Sequence, residues 1–240
     1  EGDRKYTLPR LCGIFNEPGG LGTVSGLLFA SKYNELSKKE KIIWIFTVLF
    51  TFSVAGYILI MMSYALHSWK KGPKYILIFI GIIIFFLLIP HIDWRNDFLN
   101  RYAQRFAITS NGLAGNDRTN AVFNSIYDEF LHSNKVFFGM GANYSQGTGA
   151  SSYKALILQF GFWGFGLYFV FWFISALNAS RNNRECIVLI IVFLFSFLQR
   201  PMTITNSYGY MLLFGGMEWI LEKDGDSAKE RITSVNEQSS

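Results

Sequence analysis

Long apolar stretches alternate with short polar segments along most of the chain. A helix that crosses a bilayer needs about 20 mostly apolar residues. Two stretches are weaker candidates, 19–33 because it is rich in Gly and Ser, and 208–221 because it ends at a charged tail. Because lipid cannot satisfy backbone hydrogen bonds, all the candidate spans are predicted to be helices. The clearest candidates are 43–66, 75–90, 153–177 and 186–198.

The lysines around the first clear stretch indicate how the chain crosses a membrane. Cytoplasmic segments are enriched in Lys and Arg, and lysines stand on both sides of 43–66. A single crossing cannot place both flanks in the cytoplasm. The small and polar residues at 51–56 therefore predict two short helices that meet near Ser53 to Gly56 on the outer side, with one long span as the alternative. The flanking lysines are Lys32, Lys38, Lys39 and Lys41 before the stretch and Lys70, Lys71 and Lys74 after it.

If this pair returns to the cytoplasm, the remaining stretches give a consistent topology. Stretch 75–90 crosses outward, so 91–152 becomes a long external segment, and 8–18 is external as well. A connection as long as 91–152 is usually functional or partly helical. The predicted fold is an all-α, polytopic membrane helical bundle over residues 1–221 with a long, partly helical external loop. A polar, disordered cytoplasmic tail follows at 222–240.

Composition agrees with a membrane protein and disfavours several other classes. Half of the residues are hydrophobic and 16% are charged, which leaves too little polar surface for a water-soluble fold of this size. The net charge of +5 comes from clusters between apolar stretches, so nucleic acid is not an expected partner. Cys12 and Cys186 show no metal or disulfide spacing, and the three histidines are expected to be interfacial or solvated. The polar start at Glu1 indicates the C-terminal part of a longer protein.

An amphipathic helix is predicted within the external segment. Apolar residues recur at helical spacing in 116–131, after an Asn-Asp start that predicts a cap at Asn116 or Asp117. Arg118 then lies in the first turn, where a cation opposes the helix dipole. Its planar guanidinium is suited to an anionic ligand. An ion pair with Asp117 is the alternative.

The other external segment carries a second set of candidate residues. Arg10 lies seven residues before Glu17, which directly precedes Pro18 and a predicted helix. Glu17 is a candidate general base, or it stabilises the N-terminus of that helix. Arg200 opens the last outer turn, where it either faces the same external cavity or marks the membrane interface.

Two glycines, Gly139 and Gly141, are expected to let the backbone turn tightly beside a ligand or a neighbouring helix. They do not form a dinucleotide-binding loop, because Tyr144 occupies the place of the third glycine and no βαβ unit surrounds them. The sequence also lacks GxSxG, P-loop and CxxC motifs. A hydrolase, a nucleotide-driven motor and a redox enzyme are therefore disfavoured, and no metal or cofactor is expected.

Four features, in this order, resemble the bacterial O-antigen polymerase family (Wzy-type oligosaccharide repeat-unit polymerases), which is related to the O-antigen ligases. Residues 10–20 resemble the family's R-x-x-G-x-F-x-E-P entry to a membrane helix, and 51–57 its S-x-S-x-x-G-Y break. Arg118 followed by Phe-Gly-Met-Gly at 138–141 resembles its external loop, and 151–164 the helix after it. The resemblance covers nearly the whole chain up to about Leu221.

The resemblance implies a metal-independent, inverting glycosyltransferase of the bacterial inner membrane. Such proteins transfer a growing glycan from one undecaprenyl pyrophosphate carrier to the non-reducing end of another carrier-linked repeat unit. By this resemblance Arg10, Arg118 and Arg200 bind pyrophosphate, and Glu17 deprotonates the acceptor hydroxyl while Arg118 also acts in catalysis. The implied partners are undecaprenyl-pyrophosphate-linked glycans, membrane lipids, and a chain-length regulator and flippase of the same pathway.

Other functions fit parts of the sequence. Broken helices and cavity arginines also suit a transporter or flippase of lipid-linked or anionic solutes, although here the arginines are predicted in external loops rather than near the midplane. An O-antigen ligase carries a histidine where 150–152 read Ala-Ser-Ser. A scaffold subunit of an assembly complex would tolerate replacement of Arg10 or Arg118. O-antigen, capsule and exopolysaccharide are equally compatible products.

Overall fold

The computed structural model describes residues 11, 13–15, 17–69, 72–109, 112–113, 121–142, 144, 153–199, 209 and 211–225. Helices form nearly all of the regular structure in these ranges, which confirms the all-α prediction. The strands are a two-residue antiparallel ladder, β1 (Ile108–Thr109) with β2 (Gly112–Leu113). The helices are α1 (Pro18–Lys32), α2 (Lys38–Thr51), α3 (Val54–Ser68), α4 (Pro73–Leu88), α5 (Asp97–Ala103), α6 (Ala121–Leu131), α7 (Tyr153–Ala179), α8 (Arg184–Gln199) and α9 (residues 216–225).

The predicted break in the first clear stretch is present, between α2 and α3. Phe52 ends α2 in the left-handed conformation, with φ 49°. Ser53 is the N-cap of α3, and its hydroxyl accepts a hydrogen bond from the Gly56 N–H at 3.3 Å. The Thr51 hydroxyl in turn accepts from the Ser53 N–H at 3.2 Å. The two polar side chains thus supply partners for backbone groups that an uninterrupted helix would have bonded internally.

Glycines allow α1 to pack closely on α3. A Cβ on Gly26 would lie 2.7 Å from the Cβ of Leu59, and a Cβ on Gly56 would lie 3.0 Å from the Cα of Gly22. Gly22 and Gly26 have the small-xxx-small spacing that lets two helix backbones approach each other. The short distance between α1 and α3 therefore depends on these glycines, which leave room for the Gly22 backbone and for the Leu59 side chain.

The larger apolar core is centred on α8. Leu189, Val192 and Phe197 of this helix are fully buried. Buried side chains cover most of the circumference of this helix, with Phe195 exposed at 50% on the remaining face, so α8 packs against several neighbours. Their neighbours in the core come from α1, α3, α7 and α9: Leu27, Leu59, Trp172 and Met217.

A second core attaches the start of the segment at 91–152, which is predicted to be external, to α3 and α4. The Phe106 ring lies 4.8 Å from the Phe86 ring and 6.2 Å from the Tyr57 ring, measured between centroids. Phe106 belongs to a 3₁₀ turn, Gln104–Phe106, that directly follows α5. The first part of the external segment is thus helical and packed on the bundle by aromatic contacts.

Among the described helices, one is both long and apolar enough to cross a membrane by length and composition, namely α7, and 22% of its most apolar window is buried. This helix is interrupted at Gly161, where φ is 68° and ψ is 178°. At the C-terminal end, α9 continues to residue 225 and so includes the first residues of the predicted tail. The proposed caps of α6, Asn116 and Asp117, lie outside the described residues.

The close α1–α3 contact predicts opposite effects for two Gly→Ala substitutions. Gly26→Ala places its methyl group against Leu59 and is expected to destabilise the fold by about 1 to 3 kcal/mol through overpacking. Gly81→Ala in α4 meets open space and is expected to be neutral or to stabilise by up to about 1 kcal/mol through helix propensity. Thermal unfolding of the two purified variants, followed by circular dichroism, measures both effects. Equal melting temperatures would contradict the close contact.

Candidate functional site

The predicted site residues divide into two groups. Arg10, Arg118 and Arg200 lie outside the described residues. Glu17, Gly139 and Gly141 are described, and their surroundings define where the flanking segments meet the bundle.

Glu17 occupies the N-cap position of α1. Its backbone is extended, with φ −145° and ψ 146°, and its carbonyl accepts a hydrogen bond from the Gly20 N–H at 3.0 Å. The side chain is exposed and makes no capping hydrogen bond to the first turn. Pro18 at the first helical position starts α1 without needing such a cap. Both roles considered for the Glu17 carboxylate, as a general base and as a group that stabilises the helix N-terminus, therefore stay predictions.

The segment before α1 lies against the α2–α3 break. The Leu11 N–H donates a hydrogen bond to the Phe50 carbonyl at 2.9 Å, one residue before the end of α2. Gly22, in the second turn of α1, faces Ser53 so closely that a Cβ there would lie 2.8 Å from the Ser53 Cβ. Leu11, within the predicted entry motif, and Gly22, just after it, thus both lie beside the break.

The external segment also docks on this break. The Tyr102 hydroxyl of α5 donates a hydrogen bond to the Tyr57 hydroxyl at 2.7 Å, and Tyr57 donates to the Leu49 carbonyl at 2.7 Å. The Tyr102 ring packs edge-on against Phe52 with centroids 4.8 Å apart. We call the region where Leu11, the start of α1, the break and α5 converge the break cleft.

The glycines of the external loop contact a second helix break, in α7. The Met140 and Gly141 N–H groups donate to the carbonyls of Leu158 and Gln159 at 2.8 and 3.1 Å. From the other side of Gly161, the Phe162 and Trp163 N–H groups donate to the carbonyls of Val136 and Phe137 at 3.0 and 3.1 Å. The loop at 136–141 therefore supplies partners for the backbone groups that the break in α7 leaves open.

Gly139 and Gly161 lie back to back at this junction. Both have positive φ, 83° and 68°. A Cβ on Gly139 would lie 2.1 Å from the Gln159 oxygen, and a Cβ on Gly161 would lie 2.2 Å from the Phe137 oxygen. Gly141, with φ 108°, has open space around its Cα. Gly139 and Gly141 thus turn the backbone tightly beside a neighbouring helix, which was one of the two roles expected for them.

The amphipathic helix predicted in the external segment is present as α6. Phe123, Tyr127 and Phe130 are buried and pack against the first half of α7, at Ala155 and Leu158. Val122, which was assigned to the same apolar set, is 65% exposed. The helix that follows Arg118 in the sequence is therefore fixed to the part of α7 that precedes its break.

Sequence reasoning missed a buried polar cluster at the opposite end of α3. The prediction that all histidines are interfacial or solvated is wrong for His67, which is 6% exposed. Its Nε2 lies 2.7 Å from Glu185 Oε2, and its Nδ1 lies 2.7 Å from the Ser63 carbonyl oxygen. Arg184 donates to the Leu66 carbonyl at 2.9 Å. The sequence signal for this cluster was the spacing of Ser63 and His67, four residues apart on an otherwise apolar helix.

The electrostatics of this cluster link α3 to α8. The hydrogen bond with His67 lowers the pKa of the Glu185 carboxyl, with burial acting in the opposite direction. Glu185 precedes the predicted span at 186–198, so it lies at the end of the bundle rather than within a span. Since His67 and Glu185 also contact each other directly, the cluster joins two helices that are distant in sequence.

In the part of the chain that the structure describes, no three His, Cys, Asp or Glu side chains are grouped to hold a metal ion. No protein-family model, no curated protein and no solved structure matches the chain. The site itself is therefore the basis for assigning a function.

The paired glycines predict a strong and local effect of substitution in α7. Gly161→Ala adds a Cβ in the left-handed region, which costs about 1 to 2 kcal/mol, and drives it into the Phe137 carbonyl. We expect the loop at 136–141 to detach, so that the amides of Met140 and Gly141 exchange with deuterium at least about tenfold faster. Gly166→Ala, in open space on the same helix, is the control and should leave this exchange unchanged. Equal protection in both variants would show that the four backbone bonds do not hold the loop.

Proposed function

We propose that the chain is a polytopic protein of the bacterial inner membrane. The support is the exposure of large apolar side chains along several helices, because a water-soluble protein rarely exposes contiguous apolar faces of this kind. Lipid would cover these faces while the helices satisfy their own backbone groups. The exposed residues include Ile42, Ile43, Phe46 and Phe50 of α2, Leu77, Ile80, Ile84 and Phe85 of α4, and Leu167, Val170, Phe171 and Ile174 of α7.

We further propose that it polymerises undecaprenyl-pyrophosphate-linked oligosaccharide repeat units into a surface polysaccharide at the outer face of that membrane. The observation that carries this proposal is the hydrogen bond from Leu11 to Phe50. It holds the residue that follows Arg10 at the break cleft, where the external segment is also anchored through Tyr102. A site that binds a diphosphate at the membrane surface needs several cations close together. Anchoring the segment that follows Arg10 and the segment at 91–152 at the same break would serve this purpose.

The proposed reaction uses the polar groups of the cleft in distinct roles. The acceptor hydroxyl attacks the anomeric carbon of the donor glycan, and the bond from that carbon to the pyrophosphate oxygen breaks. Arg10 and Arg118, with Arg200 in support, stabilise the charge that develops on the departing undecaprenyl pyrophosphate. Glu17, at the N-cap position of α1, accepts the proton of the acceptor hydroxyl. A chain-length regulator and a flippase of the same pathway are the proposed protein partners.

Transport of a lipid-linked or anionic solute is the second candidate, and the two helix breaks favour it. Interrupted helices near the middle of a membrane line the binding sites of many transporters. Here, however, both breaks are filled by backbone or hydroxyl partners from the same chain, at Ser53 and at 136–141. A pathway for a solute needs at least one break that opens to the ligand, and so we favour polymerisation.

The membrane topology is tested by introducing single cysteines. With Cys12 and Cys186 replaced by Ala, His132→Cys is expected to react with a membrane-impermeant maleimide in spheroplasts, because 91–152 is proposed to be external. Lys39→Cys is expected to react only after permeabilisation. Both positions are exposed, so accessibility is set by the side of the membrane. Equal labelling of both in intact spheroplasts would contradict the paired arrangement of α2 and α3.

The enzymatic proposal is tested by replacing Arg118 in the full-length protein. Arg118→Ala is expected to reduce polymerisation by about 10² to 10³, the effect of removing one stabiliser of developing negative charge, so that gels of the extracted polysaccharide show single repeats. Arg95→Ala, at an exposed position of the same segment, is the matched control and should keep the full ladder. Intact long chains in the Arg118 variant, at normal protein levels, would remove this arginine from the site.

A further inference from the structure

Exposed aromatic side chains are concentrated around the break in α7. The Phe138 side chain is 81% exposed and the Trp163 side chain is 61% exposed. The backbone hydrogen bonds that cross Gly161 hold the loop at 136–141 against α7, so the exposed rings of the loop and of the helix lie side by side. We call the five exposed aromatic residues at this junction the aromatic cluster: Phe137, Phe138, Phe160, Phe162 and Trp163.

The exposure of α7 changes at the aromatic cluster. The side chains at 153–159 are buried or half-buried, and α6 packs against this part of the helix. After the break, α7 presents an exposed apolar face that runs through Leu167 and Phe171 to Leu177. The aromatic cluster is therefore one end of a face that we propose to be in contact with lipid.

Polar side chains lie directly on the other side of the aromatic cluster. Asp128 and Glu129 of α6 are exposed, and so is Lys135, two residues before Phe137. Exposed carboxylates are costly within a hydrocarbon layer, whereas Lys and aromatic side chains are common at the interface between membrane and water. The pattern indicates an interface that passes between Lys135 and Phe137.

The length of α7 agrees with an interface at its break. At 1.5 Å per residue the whole helix, Tyr153–Ala179, measures roughly 40 Å, and the part after the break, 162–179, measures roughly 27 Å. The hydrocarbon core of a bilayer is about 30 Å thick, and a bilayer adjusts to a helix that is a few Å shorter. The part after the break is thus sufficient to cross the membrane.

Packing against α8 places the break at the predicted outer end of the bundle. The Phe165 and Phe169 rings lie 5.8 and 5.9 Å from the Phe197 ring, measured between centroids. Phe197 is two residues before the end of α8 at Gln199, and α8 covers the predicted outward crossing at 186–198. Gly161 lies one turn beyond Phe165, so the break is level with the end of α8 or slightly outside it.

We propose that the aromatic cluster inserts into the external leaflet of the membrane, so that the span of α7 begins at its break rather than at Tyr153. Lys135 lies among the lipid headgroups, and α6 lies above them together with the first part of α7. The inserted rings anchor the loop at 136–141 to the membrane. This inference rests on the membrane placement in the proposed function, but not on glycosyl transfer.

Spin labels on single cysteines test this placement in the full-length protein, with Cys12 and Cys186 replaced by Ala, in nanodiscs of palmitoyl-oleoyl phosphatidylglycerol. Phe138→Cys carries the test label, Glu129→Cys the reference for water and Leu167→Cys the reference for lipid. Hydrocarbon dissolves oxygen but excludes a polar nickel chelate. We therefore expect the label at 138 to collide with the chelate at least about fivefold less often than the label at 129, while staying accessible to oxygen.

The possible results separate this inference from the proposed function. Frequent collision with the chelate at 138, together with shielding at 167, would overturn the insertion and leave the membrane placement of α7 intact. Low collision with both reagents at 138 would show burial against a protein partner and would overturn it too. Frequent collision with the chelate at 167 would contradict the membrane placement itself.

A second label on the other side of the junction tests whether the cluster inserts as a unit. Trp163→Cys is expected to give the same accessibility as Phe138→Cys within about twofold, because the Trp163 N–H donates to the Phe137 carbonyl and fixes the two segments at one depth. Both side chains are largely exposed, so unchanged melting temperatures are expected and serve as the check on folding. A label at 163 in lipid with a label at 138 in water would show that the loop does not insert.

Discussion

The architecture depends on one constraint: an interrupted helix in apolar surroundings must find hydrogen-bond partners for the backbone groups that the interruption frees. The chain meets this constraint in two ways. At the α2–α3 break, the hydroxyls of Thr51 and Ser53 supply local partners. In α7, the loop at 136–141 supplies four backbone bonds from outside the helix. Each break therefore recruits a particular segment, and those segments carry or adjoin the candidate site residues.

The two breaks impose different demands on the sequence around them. The first requires small polar side chains within the break and glycine on the neighbouring helix, because Gly22 and Gly56 leave no room for a Cβ. The second requires glycine on both partners, because carbonyl oxygens from each side occupy the space beside Gly139 and Gly161. Together they couple the segments before α1 and after α4 to the core of the bundle, where α1, α3 and α8 pack.

The structural features that the sequence predicts well are those that depend on neighbouring residues. The break at 51–56 follows from adjacent small and polar residues, and α6 follows from the spacing of Phe123, Tyr127 and Phe130. The interruption of α7 was missed, because Gly161 is one of several glycines in an apolar helix and its partner loop lies 20 residues earlier. The burial of His67 was missed for the same reason, since its carboxylate partner is far away in the chain. The arginines of the candidate site remain predictions from sequence, and the structure describes only their neighbours.

The polar cluster at the end of α3 has a consequence for the biogenesis of the protein. Arg184, which satisfies the Leu66 carbonyl, is synthesised 118 residues later. At about 5 to 20 residues per second, the ribosome needs roughly 6 to 24 s to cover that distance. During this interval α3 emerges with His67 lacking its carboxylate partner Glu185 and with the Leu66 carbonyl lacking its Arg184 partner. The packing of the first helices is therefore incomplete until α8 is made, and the arrival of α8 converts a loosely held early intermediate into the finished bundle.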